Sequence, residues 1–106
     1  MDKQLATIKD VQDFIQSDPY NLLFVAGHTC SVCHALKPQV EQLLKGFPAI
    51  RSAMAYIEDI PELAGEFLIF TVPVVILFKN GKRVDSMARF VPLGELEKKM
   101  TMLVGN

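Results

Sequence analysis

Thr29-Cys30-Ser31-Val32-Cys33-His34 holds both cysteines of the chain, separated by two residues. The apolar run Tyr20-Asn21-Leu22-Leu23-Phe24-Val25-Ala26 ends just before it. A helical pattern starts at it: Cys33, Leu36, Val40, Leu43 and Leu44 recur at the three-and-four spacing of one helix face. A strand running into a helix puts Cys30 at the helix mouth, where unpaired N–H groups and the positive end of the dipole favour an anion. The thiolate is the nucleophilic form of cysteine, so this position predicts a lowered thiol pKa and a reactive sulfur. The first helical turn also brings residues three apart together. Cys30 is therefore expected to be exposed, with Cys33 facing the helix interior and within reach of it. Such a pair supports stepwise exchange: the Cys30 thiolate attacks a disulfide, and Cys33 then attacks Cys30 and releases the reduced substrate.

Outward from this stretch, residues 7 to 17 read as an amphipathic helix with Ile8, Val11, Phe14 and Ile15 on one face, Thr7 as N-cap and Ser17-Asp18-Pro19 as stop. Residues 20–26, apolar on both faces, suit a central strand covered on both sides. The helix of residues 31–46 contains Pro38, which leaves the His34 carbonyl without its usual partner. Such a proline is either a tolerated kink or a bend that turns Cys30 outward. Ile50 to Ile57 reads as a strand, and Asp59-Ile60-Pro61-Glu62 as a helix start with Asp59 as cap, the helix running to Ile69. Val74 to Lys79 is a strand, Asn80-Gly81 a hairpin turn, and Lys82 to Ala88 its antiparallel return. Pro92 opens a last helix with the stripe Leu93, Leu96, Met100 and Leu103. Met100 and Met102 read as core and surface filler rather than metal ligands. Leu5 and Ala6 could add a short edge strand. The order αβαβαββα makes this an α/β chain, with a mixed sheet flanked by helices on both faces.

The 106 residues suffice for one domain, residues 1–106, and one core. Half are apolar and 22% are charged, which is globular rather than disordered composition. With a net charge of −1 and no basic block, nucleic acid is not expected as a partner. Lys79, Lys82 and Arg83 read as a solvated hairpin end. The N-terminal segment from Met1 to Asp10 lacks a signal-peptide core, and Val72 to Phe78 is too short to span a bilayer. A soluble, cytoplasmic protein is expected, with no membrane partner and no need for more than a monomer. In a reducing compartment, two close cysteines are catalytic or metal-binding rather than a structural staple.

The chain resembles the thioredoxin family along nearly its whole length. The resemblance is carried by Cys30-Ser31-Val32-Cys33 after an apolar strand, by Pro38 five residues past the second cysteine, and by Thr71-Val72-Pro73 leading into Val74-Val75-Ile76-Leu77-Phe78-Lys79-Asn80-Gly81. It implies a thioredoxin-like fold and a thiol–disulfide oxidoreductase that reduces protein disulfides through Cys30 as nucleophile and Cys33 as resolving thiol. A thioredoxin reductase would be the electron donor, and no cofactor is required. It also implies a cis bond at Pro73, beside the cysteines. Val72 would then offer its backbone N–H and C=O to an extended peptide. Thr29 and Val32, flanking Cys30, complete the substrate-contact candidates, and Val32, Val72 and Phe90-Val91 could form an apolar patch around the sulfur.

The departures from the family pattern are specific. Thr29 stands where a tryptophan is usual, and Ser31-Val32 where Gly-Pro is usual. Phe24 occupies the place of a buried aspartate and Met54 that of its lysine partner, while Arg89 replaces a glycine, which could narrow the substrate groove or favour acidic partners. No carboxylate occurs from Pro19 to Cys30. Loss of that base predicts slow release of the mixed disulfide. Glu58, Asp59 and Tyr56 are candidates to substitute for it, and His28 and His34 are surface residues or nearby charges that favour a thiolate. The same departures leave an alternative open, a binding or redox-sensing module with little turnover. Cys30-Ser31-Val32-Cys33-His34 also fits covalent haem attachment, but a buried strand before the motif and a β-hairpin after it argue against a helical cytochrome. Zinc would want a second C-x-x-C.

Overall fold

In the computed structural model, which describes residues 1 and 3–105, the elements follow one another as α1 (Ile8–Ser17), β1 (Tyr20–Ala26), α2 (Ser31–Leu44), β2 (Arg51–Tyr56), α3 (Glu62–Phe67), β3 (Val74–Lys79), β4 (Lys82–Ala88) and α4 (Leu93–Gly105). The strands form one sheet in the order β2-β1-β3-β4. β1 runs parallel to β2 and antiparallel to β3, and β3 and β4 form the hairpin. This is the mixed sheet that the sequence predicts. Asp2 and Asn106, at the ends of the proposed 1–106 domain, lie outside the described residues.

Side chains alternate across the strands and so feed two cores. On one face, Leu23, Val25, Ala53, Ala55, Val74 and Ile76 pack under α1 and α3. On the other, Leu22, Phe24, Met54, Val75 and Leu77 meet Cys33, Leu36 and Val40 of α2 and Leu96, Met100 and Leu103 of α4. Both faces of β1 are therefore covered, and its residues from Asn21 to Ala26 are all buried. Each large apolar side chain withdrawn in this way contributes about 1.5–3 kcal/mol. The amide nitrogen of Asn21, the one buried polar residue of β1, donates to the carbonyls of Asp18 (2.8 Å) and Ile15 (3.3 Å), tying the end of α1 to the start of the strand.

Local chemistry accounts for most boundaries. Thr7 and Asp10 form a reciprocal capping box at the start of α1. Asn80 and Gly81 both adopt positive φ (52° and 80°), as a tight hairpin requires, and a Cβ on Gly81 would lie 2.5 Å from the Gln16 side chain. α2 continues through Pro38. Met100 is buried and Met102 exposed, as expected of core and surface filler.

Three expectations need correcting. Asp59 does not cap α3, which starts after Pro61 without a side-chain cap and ends at Phe67 rather than Ile69, because Leu68 turns left-handed (φ 54°). Leu5 and Ala6 build no strand: Gln4 makes a single parallel bridge to Met54, closed by bonds between Leu5 N–H and the Met54 carbonyl and between Met54 N–H and the Lys3 carbonyl. Arg83 is not simply solvated, since its guanidinium donates to the Phe67 carbonyl at the end of α3 (2.5 Å) and to Ser86 Oγ (3.0 Å).

Candidate active site

β1 delivers the chain to a tight turn in which Cys30 N–H bonds the Gly27 carbonyl (3.2 Å), and α2 begins immediately after. Cys30 is the N-cap of that helix, with extended backbone (φ −87°, ψ 100°), and its Sγ accepts the Cys33 N–H at 3.2 Å. A sulfur in the place of a capping oxygen meets one of the orphan donors of the first turn, and an anion there gains more from that donor than a neutral thiol does. Cys30 and Cys33 are joined as a disulfide with Cα atoms 5.3 Å apart. The two sulfurs are not equivalent in access: Cys30 is part-exposed, whereas Cys33 is 1% exposed and packs into the α2–α4 core.

On one side of Cys30 stands the end of β2. Because β1 and β2 are parallel and Ala26 pairs with Tyr56, the residues that follow each strand emerge side by side. His28 lies flat on the Tyr56 ring (centroids 3.9 Å apart, planes within 15°), and its Nε2 is 3.0 Å from Asp59 Oδ1. The His28 N–H points at both Glu58 carboxylate oxygens, each 3.2 Å away. His34 reaches back from the first turn of α2, its Nε2 lying 3.0 Å from the His28 carbonyl. The role read for Asp59 at a helix cap is thus replaced by one at the cysteine loop. Glu58, Asp59 and Tyr56, expected near the cysteines, are brought to His28 by the parallel register of the strand ends.

On the other side is the loop before β3. The Val72–Pro73 peptide bond is cis. A Cβ placed on Gly27 would lie 3.3 Å from Val72 Cγ2, 3.4 Å from Glu58 Oε2 and 3.5 Å from Cys30 Cβ, so these three groups converge on one point. Beyond Val72, Arg89 N–H bonds the Pro73 carbonyl (2.7 Å) with Arg89 in the left-handed region (φ 69°), and its guanidinium stands 5.7 Å from the Phe90 ring centre. Val32 and Phe90 are 59% and 75% exposed, Thr29 is exposed, Val72 and Val91 are half-buried, and Pro73 is buried.

Phe24, where the family pattern has a carboxylate, is fully buried in the core that also holds Cys33. Among the described residues, no group of three or more His, Cys, Asp or Glu side chains could hold a metal ion, and no helix is long and apolar enough to cross a membrane.

Residues 5–102 match the family model Thioredoxin. The chain is 35% identical over 96 residues to the thioredoxin-like protein YdfQ of Bacillus subtilis, covering 91% of this chain and 86% of that one. It is 29% identical to a thioredoxin of Chlorobaculum thiosulfatiphilum, covering 94% of each. The fold superposes on the crystal structure of Fasciola hepatica thioredoxin with a TM-score of 0.85 at 24% identity, over 94% of this chain and 97% of that one. The chain belongs to the thioredoxin family, and its Cys30–Cys33 pair is the redox couple of a thiol–disulfide oxidoreductase.

Proposed function

We propose that Cys30 is the attacking sulfur and Cys33 the resolving one, in a cycle that reduces the protein disulfides expected of this family. The observation that carries the reading is the unequal access of two bonded sulfurs, Cys30 part-exposed at a helix mouth and Cys33 1% exposed behind it. In the reduced protein, the Cys30 thiolate displaces one sulfur of the substrate as a thiolate and forms a mixed disulfide. Cys33 then loses its proton and attacks Cys30 Sγ, and the second substrate sulfur leaves. Two electrons pass to the substrate, and the Cys30–Cys33 bond is the product on the protein. The Cys33 N–H at Cys30 Sγ supports the first step by favouring the anion. Val72, whose backbone N–H and C=O make no hydrogen bond among the described residues, is placed to pair with an extended substrate beside Pro73, with Thr29 and Val32 touching it on either side of Cys30. A cytoplasmic, monomeric protein re-reduced by a thioredoxin reductase completes the reading.

Phe24 favours a second reading. An apolar ring in the core that holds Cys33 supplies no base, so the protein could bind or sense oxidised partners and turn over little. Incubation of the reduced protein with an insulin-type disulfide substrate, NADPH and a thioredoxin reductase separates the two. Sustained turnover, abolished in Cys30→Ser and arrested as a trapped mixed disulfide in Cys33→Ser, is expected of the oxidoreductase cycle. A Cys30 adduct that persists in the wild type with Cys33 free identifies the binding module. Equal activity in both variants refutes the assigned roles.

A further inference from the structure

We infer that Arg89 selects among disulfide substrates, favouring those with an acidic side chain next to the reacting cysteine. The inference rests on the exchange cycle proposed above and names the substrate class for the same site.

Position comes first. Ala88 pairs with Val74, and Arg89 N–H continues the ladder to the Pro73 carbonyl at 2.7 Å. Arg89 therefore stands about one strand spacing, ~4.8 Å, from the residue that follows Val72. Val72 in turn crowds the same point as Cys30. An extended peptide paired with Val72 would advance about 3.3 Å per residue, so a side chain adjacent to its cysteine falls within the span of a guanidinium on the neighbouring strand.

The backbone is the second observation. A non-glycine residue at φ 69° costs conformational energy that glycine would not. Here the geometry is held by the bond to Pro73 and by the Phe90 N–H on the Ala88 carbonyl (2.8 Å), so the root of the side chain is fixed. The third is the setting of the charge. The guanidinium is backed by the exposed Phe90 ring, an arrangement that leaves its edge N–H groups available for a carboxylate fork. Among the described residues Arg89 makes no ion pair, whereas Asp59 meets His28, Lys99 meets Asp85 and Arg83 meets Phe67 and Ser86. On the far side of Cys30, Glu58 and Asp59 would repel an acidic side chain. The preference is therefore positional: an acid on one side of the substrate cysteine is favoured and on the other is not.

The test uses fluorogenic peptides in which a cysteine hexapeptide is disulfide-linked to an uncharged partner, with Asp, Asn or Lys immediately before or after the cysteine. Single-turnover rates of the pre-reduced protein are compared for wild type, Arg89→Gly and Arg89→Glu. At one of the two positions the Asp peptide is expected to react about fivefold faster than its Asn counterpart, as an exposed ion pair allows. That ratio should fall towards one in 1 M salt. It should vanish in Arg89→Gly, whose glycine suits the left-handed backbone, and turn in favour of Lys in Arg89→Glu. An Asp-to-Asn ratio that is the same in wild type and Arg89→Gly at both positions overturns the inference while leaving the exchange cycle intact. Failure of the pre-reduced wild type to react with any peptide, Asn included, overturns both.

Discussion

Cys30 is bordered by two flanks built in opposite ways. On the β2 side the polar groups are paired with one another: His28 with Tyr56, Asp59 and Glu58, and His34 with the His28 carbonyl. On the β3–β4 side, among the described residues, the Val72 backbone groups are unpaired and Arg89 makes no ion pair, while Phe90 lies open to solvent. A flank whose bonds are closed internally can position a sulfur but has little left to offer a partner. A flank with open donors, acceptors and apolar surface is built to be completed by one. Under the proposed cycle, the first flank would set the geometry of Cys30 and the second would recognise the substrate.

The largest expected effect breaks both flanks from behind. Phe24→Asp would restore the carboxylate of the family pattern, but in a core lined by Leu22, Cys33, Leu36 and Met54, with no lysine opposite. Removing a fully buried phenylalanine costs about 3–5 kcal/mol, and an unpaired carboxylate adds to that. Urea denaturation should show a loss of at least about 4 kcal/mol, or no cooperative transition. A variant of unchanged stability with faster Cys33 resolution would show instead that the base can simply be put back.

The next pair sets the flanks directly against each other. His28→Ala removes a stacked ring and a half-exposed hydrogen bond to Asp59 and should lower stability by about 1 kcal/mol. With the loop before Cys30 loosened, the rate of attack should fall severalfold on every substrate alike. Phe90→Ala deletes a ring that is 75% exposed, so stability should stay within about 0.5 kcal/mol. Its effect should be a KM raised about threefold for peptide disulfides, with little change for a small disulfide such as oxidised glutathione. Calorimetry and steady-state kinetics on the two variants check both halves. Matching profiles in the two would dissolve the distinction.

How far this arrangement could be read from the chain depends on the range of the interactions. β1, α2, the Asn80-Gly81 turn and the stripe of α4 are legible because their signals are local: period two, period three to four, and two residues that tolerate positive φ. Asp59 before a proline has the local appearance of a helix cap. The parallel pairing of Ala26 with Tyr56 overrides that appearance by bringing His28 alongside it, a contact between residues 31 apart. The cis bond at Pro73 is invisible to composition and spacing, since only about 5–6% of such bonds are cis, and it is expected only through family resemblance. The left-handed backbone of Arg89 runs against propensity and follows from its bonds to the neighbouring strand.

The smallest expected effect lies on neither flank and calibrates them. At the start of α1 the Asp10 carboxylate accepts the N–H groups of Ala6 (3.1 Å) and Thr7 (3.2 Å), while Thr7 Oγ1 accepts the Asp10 N–H (3.1 Å). The Ala6 N–H first, then the contacts with Thr7 and the charge of Lys3, outweigh desolvation and hold this carboxyl below the usual aspartate value. A group with a depressed folded-state pKa contributes stability that is present above its unfolded value, about 3.9, and is lost as pH falls through the folded one. Asp10→Asn should therefore melt slightly below the wild type at pH 7, and the gap should close as the pH is taken below 4. A gap that stays constant with pH would trace the loss to packing rather than charge. Single-turnover exchange at pH 7 should be unchanged in this variant. A small loss of stability that leaves the chemistry alone is the reference against which a slower reaction in His28→Ala can be assigned to the flank rather than to the fold.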